Sequence, residues 1–187
     1  MNDQSLIEPD LNLATQSTQQ LEAQLIEVAQ QIGWLAAKRE LMICTAESCT
    51  GGAIARALTE ISGSSAWFDS GYVTYSNAAK QRMLGVDAAL LSEYGAVSEP
   101  VVRAMANGAL DGGPGRLSIA VTGVAGPGGG SDAKPVGTVW FGWAGRANTS
   151  DYGAFVASQR VCFEGDRHAV RLQTALHGLH QLKTFWL

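Results

Sequence analysis

Ser48 stands in the run Thr45-Ala46-Glu47-Ser48-Cys49-Thr50-Gly51-Gly52, where a short hydroxyl residue meets a glycine pair at the start of a helix-like segment. Free backbone N–H groups and the positive end of a helix dipole favour an anion at such a place, either a phosphate or the oxyanion of an acyl transfer. Serine is also a common helix cap, so the segment alone leaves nucleophile and cap both open. As a nucleophile, the hydroxyl needs a base to take its proton.

The histidines do not supply that base. His168, His177 and His180 all fall on the last helical segment, form no HExxH pattern, and read as surface or satisfied residues, so no metal site is argued. Lys80 follows the second strand by about a turn of helix and can point back at the same sheet edge. Such a lysine must be neutral to accept a proton, which requires burial or neighbouring cations; a solvated surface lysine is the competing reading. Tyr75, at the strand end, could orient that lysine or donate to a substrate, and ordinary packing explains it as well. Lys134 is a rival base, but its Lys-Pro setting beside a glycine loop favours a substrate contact or a solvated role. Cys49 competes with Ser48, because a thiol near a helix N-terminus can have a depressed pKa.

A second glycine-rich stretch, Thr122-Gly123-Val124-Ala125-Gly126-Pro127-Gly128-Gly129-Gly130-Ser131, offers close backbone approach and N–H nests suited to phosphate. It carries no Walker lysine and no GxGxxG opening a helix, so ATP or a dinucleotide cofactor is not indicated.

These residues need a frame. Apolar spacing predicts a first helix from Thr18, its cap, to about Lys38, then a buried strand over Leu41 to Ala46 and a helix over Ala53 to Leu58. Further strands are expected at Trp67 to Thr74 and Leu117 to Val121, with a helix between them opening at Ser98-Glu99-Pro100. Val136 to Ala144 and Gly153 to Phe163 read as an antiparallel pair joined by the polar turn 146–150, and a last helix runs from Asp166 to Lys183. The alternation predicts a single three-layer α/β/α domain, residues 18–187, with a mixed, mainly parallel sheet, preceded by a loose extension over 1–17. If the first three strands are parallel, their ends bring Glu47-Ser48-Cys49, Tyr75-Ser76-Asn77 and Thr122-Gly123 to one edge, where ligands of open α/β sheets bind.

Composition narrows the partners. With 187 residues, 46% apolar and 16% charged, and a net charge of −4, the chain shows no broad basic face for nucleic acid, and a small molecule is the expected partner. Three cysteines point to reduced thiols and a cytoplasmic location. No run approaches the roughly 20 apolar residues of a membrane span.

Taken together, Ala46 to Gly52, Gly71 to Lys80, Ala96-Val97-Ser98-Glu99 and Val121 to Gly129 resemble the C-terminal domain of the competence/damage-inducible CinA proteins and its stand-alone relatives, the nicotinamide-nucleotide amidohydrolases. The likeness spans about Leu21 to Leu182. It implies hydrolysis of nicotinamide mononucleotide to nicotinic acid mononucleotide and ammonia in pyridine-nucleotide recycling, with no metal or cofactor, in a homo-oligomer. The resemblance also implies a Ser–Lys dyad of Ser48 and Lys80 supported by Tyr75. Nucleotide would be held by Glu47, Thr50, Gly51, Gly52, Thr122, Gly123, Gly126, Gly128 and Gly129, with the N–H groups around Thr50, Gly51 and Gly52 facing the oxyanion. The molybdopterin-binding-like domain of full-length CinA proteins has no counterpart in these residues, so its activity is not carried over. The competing readings are a non-catalytic nucleotide-binding module and a serine hydrolase acting on another amide or ester.

Overall fold

The computed structural model describes residues 13–147 and 153–187. Five strands form one sheet in the order β2-β1-β3-β4-β5: β1 (Ile43–Glu47), β2 (Phe68–Val73), β3 (Leu117–Gly123), β4 (Thr138–Gly145) and β5 (Phe155–Cys162). β1 pairs in parallel with β2 and β3, while β4 is antiparallel to both β3 and β5. Four strands therefore share one direction, and the expected mixed, mainly parallel sheet holds. Its order reverses at β1, which places a crevice at the carboxyl ends of β1 and β3.

Side-chain alternation along β1 and β3 builds two unlike faces. Ile43, Leu117, Ile119 and Val121 join α1 (Thr18–Lys38), α2 (Ala53–Thr59) and α6 (Arg167–Trp186) in the larger apolar cluster. Cys44, Ala46, Ala120 and Ala144 face the other way, against Val102, Met105 and Ala106 of α5 (Glu99–Asp111). Small residues on that face admit α5 closely enough for Ser118 Oγ to donate to the Ala106 carbonyl at 2.7 Å. Two shorter helices, α3 (Asn77–Leu84) and α4 (Ala88–Tyr94), precede α5.

The element boundaries differ from expectation in instructive places. Ser17, not Thr18, caps α1, in a reciprocal pair with Gln20. Residues 1–12 of the expected extension lie outside the described residues, but Leu13 is buried in the core, so its last part is tied down by packing. Asn148, Thr149 and Ser150 of the expected turn also lie outside them. α4 was not anticipated, although Asp87 caps it by accepting from the Ala89 N–H. Among the described residues no helix is long and apolar enough to cross a membrane.

His177 of α6 is buried between Phe141 and Phe163, with Nε2 2.9 Å from Gln159 Oε1. Burial, and secondarily His180, pushes its pKa down from 6.5 to about 4. Between those values the unfolded chain binds a proton that the folded chain does not, so stability falls as the pH drops through that window. The expected loss from this one group is about 3 kcal/mol. Urea melts at pH 7 and pH 4 should show a markedly smaller drop for His177→Gln than for wild type. An unchanged drop would place the acid sensitivity elsewhere.

Candidate active site

β1 delivers Ser48 to the crevice at its carboxyl end, and the Ser48 N–H still bonds back to the Val121 carbonyl of β3. The chain then turns through Cys49 to Gly52 before α2 begins. Gly51 and Gly52 have φ of 63° and 95°, the left-handed region that glycine enters without strain. Ser48 therefore lies well ahead of the helix and does not cap it.

The helix is capped instead by Glu47. This residue is fully buried and its carboxylate accepts from the Gly52, Ile54 and Ala55 N–H groups and the Thr50 hydroxyl. The expected substrate contact at Glu47 is thus replaced by an internal one, because β-strand alternation turns its side chain away from the cavity. Thr50 is buried with it, and the Gly51 N–H is taken by the Ser48 carbonyl. Of the N–H groups expected to face an oxyanion, those of Gly51 and Gly52 are already engaged. Those of Cys49 and Thr50 have no backbone acceptor and are directed at the Cys49 thiol instead.

From the end of β2, Thr74 leads into α3, whose first turn is capped by Ser76. One turn in, Lys80 is buried to 1% exposure, with Nζ 3.0 Å from Ser48 Oγ and 2.8 Å from the Thr74 carbonyl oxygen. Burial holds its pKa below the ordinary 10.5, which favours the neutral amine; a charged Cys49 would oppose this. That opposition is absent near neutral pH, because burial pushes the Cys49 thiol up to about 12. Cys49 beside Ser48 is thereby a protonated thiol rather than a thiolate.

Ser48, Tyr75, Lys80, Thr122, Gly123 and Arg167 line one cavity of about 220 Å³, and Asn77 and Cys49 also border it. Thr122 donates to the Ala96 carbonyl at 2.9 Å, which fixes the β3 end of the wall. The Tyr75 hydroxyl accepts from Arg167 Nη2 at 2.6 Å rather than reaching Lys80. A neighbouring cavity of about 650 Å³ shares Ala125 and Arg167 with the first and includes Gly126, Pro127, His168 and Arg171. Gly128 and Gly129 border neither cavity. Lys134 donates to the Tyr94 carbonyl and does not line the cavity that holds Ser48 and Lys80.

Arg167 and Arg171 are the residues that sequence reasoning passed over. Both sit in the first turns of α6, which Asp166 caps through the Ala169 N–H. Arg167 also donates to the Gly126 carbonyl at 2.8 Å, and Arg171 donates twice to the Thr50 carbonyl, at 3.2 and 2.6 Å. Their partners lie 41 to 121 residues away, so only the helix-start signal at Asp166 hinted at two cations facing the glycine loops.

Comparison with known proteins agrees with this architecture. The model of the CinA C-terminal domain matches residues 25–186. A protein of Enterobacter agglomerans named nicotinamide-nucleotide amidohydrolase PncC is 52% identical over 158 residues, covering 84% of this chain and 93% of that protein. Its counterpart of the same name in Escherichia coli strain K12 is 46% identical over 161 residues, covering 86% and 94%. Among solved structures, competence/damage inducible protein CihA from Agrobacterium tumefaciens superposes with a TM-score of 0.79 at 44% identity, over 85% of this chain and 93% of that one. Competence damage-inducible protein A from Klebsiella pneumoniae gives 0.80 at 37% identity, over 86% and 96%. With family model, sequence relatives and fold in agreement, the chain belongs to the CinA C-terminal domain family.

Proposed function

We propose that this chain hydrolyses the carboxamide of nicotinamide mononucleotide, giving nicotinic acid mononucleotide and ammonia, with Ser48 as nucleophile and Lys80 as base. The observation that carries the reading is a fully buried lysine, its pKa held down, 3.0 Å from a serine hydroxyl at the switch point of the sheet. The relatives named nicotinamide-nucleotide amidohydrolase supply the substrate class.

In this mechanism neutral Lys80 removes the Ser48 proton as Oγ attacks the carboxamide carbon. The Cys49 and Thr50 N–H groups, held only by the weakly accepting Cys49 thiol, turn to the oxyanion, whereas those of Gly51 and Gly52 are bound to oxygen. Lys80, now an ammonium, protonates the leaving nitrogen, and the C–N bond breaks to release ammonia. Water then attacks the acyl-enzyme, giving its proton to Lys80, and Ser48 regains a proton as the acid leaves. The inner cavity falls below the roughly 300 Å³ at which small-molecule pockets begin, so it takes the nicotinamide ring and not the whole nucleotide. Ribose and phosphate extend into the outer cavity toward Arg167, Arg171 and the α6 N-terminus.

An ammonia-release assay with nicotinamide mononucleotide tests this directly. Turnover is expected; binding of the nucleotide without turnover would favour a binding module, and turnover of other amides alone would favour a different hydrolase. Arg167→Ala is expected to lower kcat/KM for the mononucleotide about tenfold to a hundredfold, the worth of a hydrogen bond to a charged group. Nicotinamide riboside, which lacks the phosphate, should lose less. An equal loss for both would remove the phosphate from that cavity.

A further inference from the structure

Glu47 immediately precedes the proposed nucleophile, yet its carboxylate faces the interior. Oε1 accepts from the Ala55 N–H at 2.8 Å and, more weakly, the Thr45 hydroxyl at 3.4 Å. Oε2 accepts from the Thr50 hydroxyl at 2.7 Å and from the Gly52 and Ile54 N–H groups at 3.1 and 3.0 Å. One side chain thus bonds to the strand before Ser48, to the turn after it and to the first turn of α2. Gly52, the N-cap residue, has no side chain to do this. Capping α2 would need only the N–H contacts. The Thr50 bond is additional, and it fastens the turn that carries Ser48 and the Cys49 and Thr50 N–H groups, which no backbone carbonyl engages. Arg171 grips the same residue from outside through the Thr50 carbonyl.

We propose that Glu47 is a positioning residue for the reaction: it holds the Ser48–Thr50 backbone so that Oγ stands against Lys80. This rests on Ser48 being the nucleophile. Displacement of a reacting group by about 1 Å can cost roughly a hundredfold in rate, so a tether one residue from the nucleophile has leverage that a remote cap lacks.

Two variants test it. Glu47→Gln keeps the shape but sets an amide N–H₂ against surrounding donors. Thr50→Val removes one hydroxyl and leaves every N–H contact of the helix cap intact. For both, kcat and KM are measured with nicotinamide mononucleotide on protein shown folded by circular dichroism, together with the rate at which a fluorophosphonate labels Ser48 without nucleotide. Glu47→Gln is expected to lose roughly a hundredfold in kcat and Thr50→Val roughly tenfold, with labelling slowed in parallel and KM within about threefold. Unchanged kcat and labelling in folded Thr50→Val would overturn the proposal, even with Glu47→Gln impaired, because the carboxylate would then only cap the helix. Should Glu47→Gln not fold, Thr50→Val decides alone. If wild type is labelled at Ser48 but releases no ammonia from the nucleotide, the substrate reading fails while the labelling rates still test Glu47. If wild type is neither labelled nor active, both fall together.

Discussion

Lys80→Met should lower amide turnover by roughly 10²- to 10⁴-fold, the range that a positioned general base contributes. The side chain has two partners, Ser48 Oγ and the Thr74 carbonyl oxygen, and both lie at the sheet edge. Methionine fills much of the same volume without a basic nitrogen, so the loss is chemical. It also removes an amine whose burial disfavours its charged form, which offsets part of the cost of an unpaired Thr74 carbonyl, and the melting temperature should move by only a few degrees. Lys80→Arg sharpens the test, because a guanidinium keeps the charge but cannot serve as a base. An active arginine variant would show that position 80 supplies positive charge and would remove Lys80 as the base. If the neutral amine of Lys80 is the active form, as the proposed mechanism requires, kcat/KM should rise with pH. Because burial holds the Lys80 pKa below 10.5, the midpoint of that rise should lie below that value. A profile flat from pH 6 to pH 10 would count against the neutral lysine.

How much of this was legible in the sequence depends on the range of the interaction concerned. The strand, glycine turn and helix around Ser48 follow from local pattern, and so does the turn of helix that separates Tyr75 from Lys80. Bringing them together needed only the inference that the first three strands are parallel, which the sheet satisfies. Glu47 was misplaced although alternation could have assigned it: residues 43, 45 and 47 of a central strand share a face, and Ile43 is in the core. A carboxylate in a motif with a nucleophile invites a catalytic or binding role, and that expectation prevailed over the period of two. Arg167 and Arg171 were out of reach for a different reason. Nothing local says that an arginine at one helix start will bond a tyrosine 92 residues earlier. Tyr75 itself was expected to orient the lysine or donate to substrate; its hydroxyl accepts from Arg167, and both residues line the cavity that holds Ser48 and Lys80.

The nucleophile can be assigned between two adjacent residues by a paired substitution, Ser48→Ala and Cys49→Ser. Ser48→Ala is expected to reduce ammonia release on the order of 10⁴-fold or more, as loss of a nucleophilic serine does in other hydrolases. Cys49→Ser should keep activity within about threefold. The reasoning for the cysteine is electrostatic: with its pKa pushed up to about 12 by burial, almost none of the thiol is ionised near pH 7, and the thiolate is its nucleophilic form. It is also only 6% exposed, so a serine there carries a desolvation cost of about 1–3 kcal/mol in stability, which should appear as a lower melting temperature rather than as lost chemistry. Iodoacetamide gives an independent reading, since a buried protonated thiol reacts slowly and wild-type activity should survive exposure that fully modifies Cys162, the exposed cysteine. If activity instead disappears with Cys49→Ser and persists in Ser48→Ala, the attacking atom is sulfur, and the 3.0 Å contact between Lys80 and Ser48 holds the lysine in place without transferring a proton.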